Sequence, residues 1–148
     1  MPAKTFDWRD DPSGTMIAVP QVRARFIRVT PDGSAEKTFH THEESEAIET
    51  WVVLEGQVRF EFEIDGERSE VVAGPGQAVV ALPNEKHRIT CANDEPAVYF
   101  LTVSPHRSPT HTHYDAQGNR RPTTPGVTHP TWKGEPAMGV AAAPAKGT

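Results

Sequence analysis

Apolar and polar positions along this chain follow a dominant period of two, the mark of strands with one buried face. Val58, Phe60, Phe62 and Ile64 alternate with Arg59, Glu61 and Glu63, and Asp65-Gly66 then gives a two-residue hairpin signal leading into a strand over 67–72. Earlier, Val22, Ala24, Phe26 and Arg28 alternate with Arg23, Arg25, Ile27 and Val29, closed by the turn Pro31-Asp32-Gly33. Trp51 to Leu54 and Ala78 to Leu82 read as nearly continuous apolar strands, and Asn93-Asp94-Glu95-Pro96 separates a strand at Arg88–Cys91 from one at Ala97–Val103. Short strands with a turn every eight to twelve residues predict an all-β sandwich or barrel. No segment has the period of an amphipathic helix, and no internal repeat is present.

From Ser104 onward the alternation stops. The last forty-five residues hold seven prolines and five glycines and cannot bury enough apolar surface to fold alone. The expected division is an N-terminal arm at 1–19, a barrel at 20–104 and an irregular tail at 105–148, partly docked or disordered. Tyr114 and Trp132 are the anchors expected of a tail that lies on its own barrel or a partner's, helping to form or cover a homodimer, and the end from Val140 reads as frayed.

Charge is uneven. Residues 1–103 hold ten Lys and Arg against eighteen Asp and Glu, a net of −8, whereas the tail holds five against two, a net of +3. An acidic barrel repels phosphate backbones, so nucleic acid is not an expected partner, and the opposite signs suggest a tail lying on the acidic surface. No apolar run approaches membrane-spanning length and Met1–Asp7 has no apolar signal region, so no membrane contact and a cytoplasmic location are expected. The single cysteine, Cys91, excludes an intramolecular disulfide, fits a reducing compartment and reads as a packed strand residue.

One constellation asks for chemistry: His40-Thr41-His42, then Glu49 and Gly56, then Pro83-Asn84-Glu85-Lys86-His87. Side chains two apart on a strand share a face with backbones about 7 Å apart, so His40 and His42 can reach one ion. A set of three imidazoles and one carboxylate suits a divalent transition metal and is permissive among Fe, Mn, Ni and Zn. An isolated His-x-His is more often polar strand surface, but all three histidines before residue 104 belong to this set. The tail carries His106, His111, His113 and His129, and its own His-x-His at 111 and 113 lacks a glutamate and a strand framework. Arg23, Arg25 and Arg59 could fix an anionic substrate, yet strand arginines mostly face water, so none is assigned that role.

Thr38-Phe39-His40-Thr41-His42, Glu49 through Gly56, and Gly76, Pro83 and His87 together resemble the paired motifs of the cupin superfamily over about residues 20–104. The resemblance implies a small single-domain jelly-roll β-barrel with His40, His42, Glu49 and His87 as ligands of one divalent metal. Two departures stand out. Six residues separate His42 from Glu49, where three or four are usual, and the acidic run Glu43-Glu44-Ser45-Glu46 in that interval makes Glu46 a rival ligand. Glu49 is preferred because it precedes Gly56 by seven residues and shares strand parity with Trp51 and Val53. Asn84 stands where glycine is usual, and asparagine tolerates a left-handed turn.

Four protein ligands on an octahedral ion leave two positions for a chelating substrate, or for substrate and dioxygen, as in the facial arrangement of non-heme iron oxygenases. The reading is therefore a dioxygenase-type oxidoreductase acting on a small oxygen-bearing molecule, with Trp51, Val53, Phe60 and Phe62 shaping the pocket. A non-redox isomerase, decarboxylase or cyclase using the ion as a Lewis acid is the first alternative, and a metabolite-binding barrel without turnover is the second.

Overall fold

A computed structural model describes residues 4–32, 36–107, 109–121 and 131–132, with the backbone alone at 36, 37, 131 and 132. Among these residues there are eleven strands and no helix. The strands are β1 (Thr15–Val19), β2 (Val22–Val29), β3 (Glu36–Thr41), β4 (Ile48–Glu55), β5 (Val58–Ile64) and β6 (Glu67–Ala73). They continue as β7 (Ala78–Ala81), β8 (Lys86–Cys91), β9 (Ala97–Ser104), β10 (Thr112–His113) and β11 (Thr131–Trp132). Two antiparallel sheets, ordered β11-β1-β2-β9-β4-β7 and β10-β3-β8-β5-β6, make the two walls of a jelly roll. No helix is long and apolar enough to cross a membrane among the described residues.

The period-two pattern becomes burial as expected. Glu49, Trp51 and Val53 on β4 and Val58 and Phe60 on β5 are fully buried, as is Tyr99 on β9. On β2 the inward set is Arg23, Arg25, Ile27 and Val29, because Ile27 and Val29 join the core and Arg23 and Arg25 share their parity. Cys91 packs partly buried against that core.

The strand set exceeds the span read as a barrel. β1 lies within the segment read as an N-terminal arm, and β10 and β11 lie within the tail. Thr15–Val19 is a short, nearly continuous apolar run with no alternation to reveal it, and two-residue strands carry no period at all. The tail segment docks on its own barrel: β10 pairs with β3, the Tyr114 ring lies under Lys86 Nζ at 4.5 Å, and β11 pairs with β1. Arg120 of the tail pairs with Glu43 and Glu44, so the opposite charges do meet. The Trp132 side chain, His129 and the end from Val140 lie outside the described residues.

Turn chemistry matches sequence at two points. Asp65 and Gly66 both have positive φ, 52° and 80°, as the tight hairpin between β5 and β6 requires. Gly56 has φ +76°, and a Cβ there would stand 2.7 Å from Pro96 O and 2.9 Å from Ala97 Cα. Asn84, in contrast, needs no left-handed backbone, because the described non-glycine residues with positive φ are Glu46 and Asp65. Its turn is closed by Glu85 N–H donating to Leu82 O at 3.0 Å and by Leu82 N–H donating to Glu85 Oε2 at 2.9 Å.

Gly56→Ala is expected to destabilise the fold by about 2 kcal/mol or more, since it combines left-handed strain with a backbone collision. Denaturant melts check this, and a Gly56→Ala protein as stable as the parent contradicts the packing described.

Candidate metal centre

The two sheets bring the expected site residues together. His40 sits on β3 directly opposite His87 on β8, and His42 follows β3 immediately, its N–H donating to Pro83 O at 3.0 Å. Glu49 reaches the same point from β4 in the other sheet. All four side chains are at most 1% exposed, and one donor atom from each lies within 4.8 Å of the others. Glu46 is exposed, with φ 56°, in the turn that carries the chain from His42 to β4. The extra residues between His42 and Glu49 are absorbed by that turn, and Glu46 does not join the cluster.

The hydrogen bonds fix which nitrogen faces inward. His42 Nδ1 stands 2.8 Å from Thr110 O, His87 Nδ1 2.7 Å from Glu85 O, and His40 Nδ1 3.3 Å from Thr38 O. A carbonyl oxygen can only accept, so each Nδ1 carries a hydrogen and each ring turns its Nε2 to the interior. Those nitrogens lie 2.5 Å (His42), 3.2 Å (His87) and 3.8 Å (His40) from Glu49 Oε2. Acceptors this close need a cation between them, either a proton that charges a ring or a metal ion. First-row ions with bonds of about 2.0–2.2 Å place neighbouring donors about 3 Å apart, so the spacing fits such an ion. Glu49 Oε1 is buried with no hydrogen-bond partner, a free donor of the kind a metal takes up. Burial pushes the Glu49 carboxyl up, but the surrounding imidazoles of His40, His42 and His87 outweigh it and hold the group well below the usual carboxylate range.

The walls of the site differ in chemistry. Trp51 and Phe62 pack beside His87, with ring centroids 5.1 Å and 5.9 Å away, and Phe60 backs Trp51 at 5.1 Å. On the other side the tail contributes more than the sequence reading assigned to it. His111 is half-buried with its ring 4.6 Å from His42 and 4.9 Å from His40, and it stacks on His113 at 5.6 Å. The missing strand framework is β10, which sets His113 opposite His40. Thr110 O also accepts from Ser45 Oγ at 3.2 Å, tying the turn after His42 to the tail. The second His-x-His was the available signal for this segment; a carbonyl at Thr110 has no side-chain signature.

None of the curated proteins compared with the chain matches it. Among solved structures, a double-stranded β-helix protein from Klebsiella pneumoniae is 17% identical with a TM-score of 0.56, covering 71% of this chain and 92% of that one. Oxalate decarboxylase of Bacillus subtilis, a protein with Mn(II) centres, is 18% identical at a TM-score of 0.50 over 59% of this chain. An oxalate oxidase in complex with glycolate is 14% identical at 0.53 over 66% of this chain. This chain spans 22% of that decarboxylase and 53% of that oxidase, and at such identities the likeness concerns the fold. The sequence itself matches the cupin domain model over residues 25–104, more than half its length, and with two jelly-roll walls closing on the motif histidines it belongs to the cupin family.

Proposed function

We propose that His40, His42, Glu49 and His87 hold one divalent transition metal and that the protein is a metal-dependent enzyme acting on a small, oxygen-bearing, chelating substrate, in a dioxygenase-type oxidation. The observation that carries this is the convergence of three inward-facing Nε2 nitrogens, each oriented by an Nδ1–H bond to a backbone carbonyl, on one buried carboxylate. When bound, the ion supplies a Lewis-acidic centre with positions left over for substrate oxygens and dioxygen. The chain does the rest: Thr38, Glu85 and Thr110 carbonyls fix the rings, and Trp51, Val53, Phe60 and Phe62 keep the inner wall dry. A non-redox reading, decarboxylation above all, is favoured by the cupin folds named as oxalate decarboxylase as well as oxalate oxidase.

The working unit in this reading is a cytoplasmic homodimer. Ile48 on β4, Val80 on the neighbouring β7 and Leu82 just past its end, 45–51% exposed, supply an apolar face for a second copy. Sedimentation at twice the 16.2 kDa of the chain is the expected result, and a monomer at micromolar concentration contradicts it.

Elemental analysis should find about one metal ion per chain, lost in His87→Ala and in the His40→Ala/His42→Ala double variant. Glu49→Gln should lower metal affinity at least tenfold while Glu46→Gln leaves it within about twofold. Full metal content in the histidine variants, or the reverse ranking of the two glutamates, sinks the assignment.

Chemistry is separated from binding by a panel of diketones, enediols and catechols. Oxygen uptake that depends on the metal supports oxidation, anaerobic turnover with release of carbon dioxide supports the non-redox reading, and saturable binding with neither shows a binding barrel.

A further inference from the structure

The second His-x-His is the chemistry-bearing motif that the buried cluster leaves unused. β10 is the edge strand of the second sheet and sets His113 opposite His40 and Thr112 opposite Thr41. One step back along the chain, His111 comes beside His42, their ring centroids 4.6 Å apart. His113 is exposed, His111 is half-buried, and His40 and His42 are fully buried. The imidazoles therefore form a file that runs from solvent to the candidate metal site.

Spacing along that file matches spacing inside the cluster. The rings of His40, His42 and His87 have centroids 4.2, 5.3 and 5.6 Å apart, close enough for their donor atoms to converge. His113 and His111 are 5.6 Å apart and stacked at 14°, and His111 is also 4.9 Å from His40. An ion held by the outer pair is thus one ring away from the cluster. The donors that meet within 4.8 Å are those of His40, His42, Glu49 and His87 without His111, so the tail pair is a second station and not a fifth ligand.

A buried ion also needs a way in, and the flanks of the site are unequal in this respect. Beside His87 stand Trp51 and Phe62, which offer a hydrated cation no lone pair to exchange for its water. At the tail edge, the two carboxylates of Glu43 and Glu44 meet the single charge of Arg120, and that trio keeps a net negative charge.

Resting on the metal reading above, we propose that His111 and His113 form a capture site for a divalent transition cation at the barrel edge and pass it to the His40, His42, Glu49 and His87 cluster. Imidazole nitrogen suits zinc, copper, iron and nickel, whereas calcium and magnesium favour oxygen, so the pair selects the class of ion before it enters. Two ligands without a carboxylate hold the ion more weakly than four with one. The ion therefore moves inward.

The test uses the full chain stripped of metal and then mixed rapidly with Co(II), whose visible spectrum reports entry into the cluster. His111→Gln/His113→Gln should slow uptake about tenfold, and should slow release to saturating EDTA by the same factor. Equilibrium affinity should stay within about twofold, because a path lowers both rates together whereas a resident ligand changes their ratio. His113→Gln alone, at an exposed position, should slow both rates part of the way, and it decides the question by itself if the double variant melts below the parent. Parental uptake and release rates in the variants overturn the inference while leaving the metal site standing. Lost affinity with unchanged uptake also overturns it, by making the pair resident ligands. A parent protein that binds no Co(II) overturns the metal reading and this inference with it.

Discussion

A carboxylate fully enclosed in a β-barrel is the constraint around which this molecule is arranged. Transfer of an ionised group out of water costs several kcal/mol unless charge and hydrogen bonds replace the solvent. Glu49 stands at that depth on one sheet, and the other sheet answers with His40, His42 and His87. Each ring holds its Nδ1 against a carbonyl of its own backbone neighbourhood or of the tail and turns its Nε2 toward Glu49. Only a cation reconciles the four groups. The site is thus also a clasp between the two sheets, and filling it stabilises the barrel by mass action.

The clasp depends on parts of the chain remote from the motifs. Thr110 lies sixty-eight residues after His42, yet its carbonyl sets the tautomer and tilt of that ring. β10 holds Thr110 and His111 in place by pairing with the strand that carries His40, and Arg120 and Thr112 tie the same segment to Glu43 and Glu44. Exposed ion pairs of this kind contribute little stability individually. Their effect is positional, keeping the tail against the site's edge.

Much of this was legible in the sequence, and the limits have physical causes. Alternation exposes the inward face of β4 and β5, so parity with Trp51 and Val53 separates Glu49 from Glu46 in the sequence alone. The same alternation on β2 left two faces open, since Arg23 and Arg25 alternate with a set that itself ends in Arg28. Only the ladder to β9, which puts Ile27 beside Tyr99 and Arg23 beside Val103, decides that the arginines point inward. β1 and β10 escaped because a five-residue apolar run and a two-residue strand carry no usable period. The fit of Asn84 needed no left-handed turn because Glu85 closes that loop with its side chain, a contact that no spacing announces.

The central claim is that three imidazoles and one carboxylate share a single ion. X-ray absorption spectroscopy of the metal-loaded protein reads that shell directly. The account predicts nitrogen and oxygen scatterers only, with outer-shell scattering from three imidazole rings, matching His40, His42 and His87. A sulfur scatterer, which would have to come from Cys91 or a methionine, or a shell of oxygens with one imidazole or none, would contradict it.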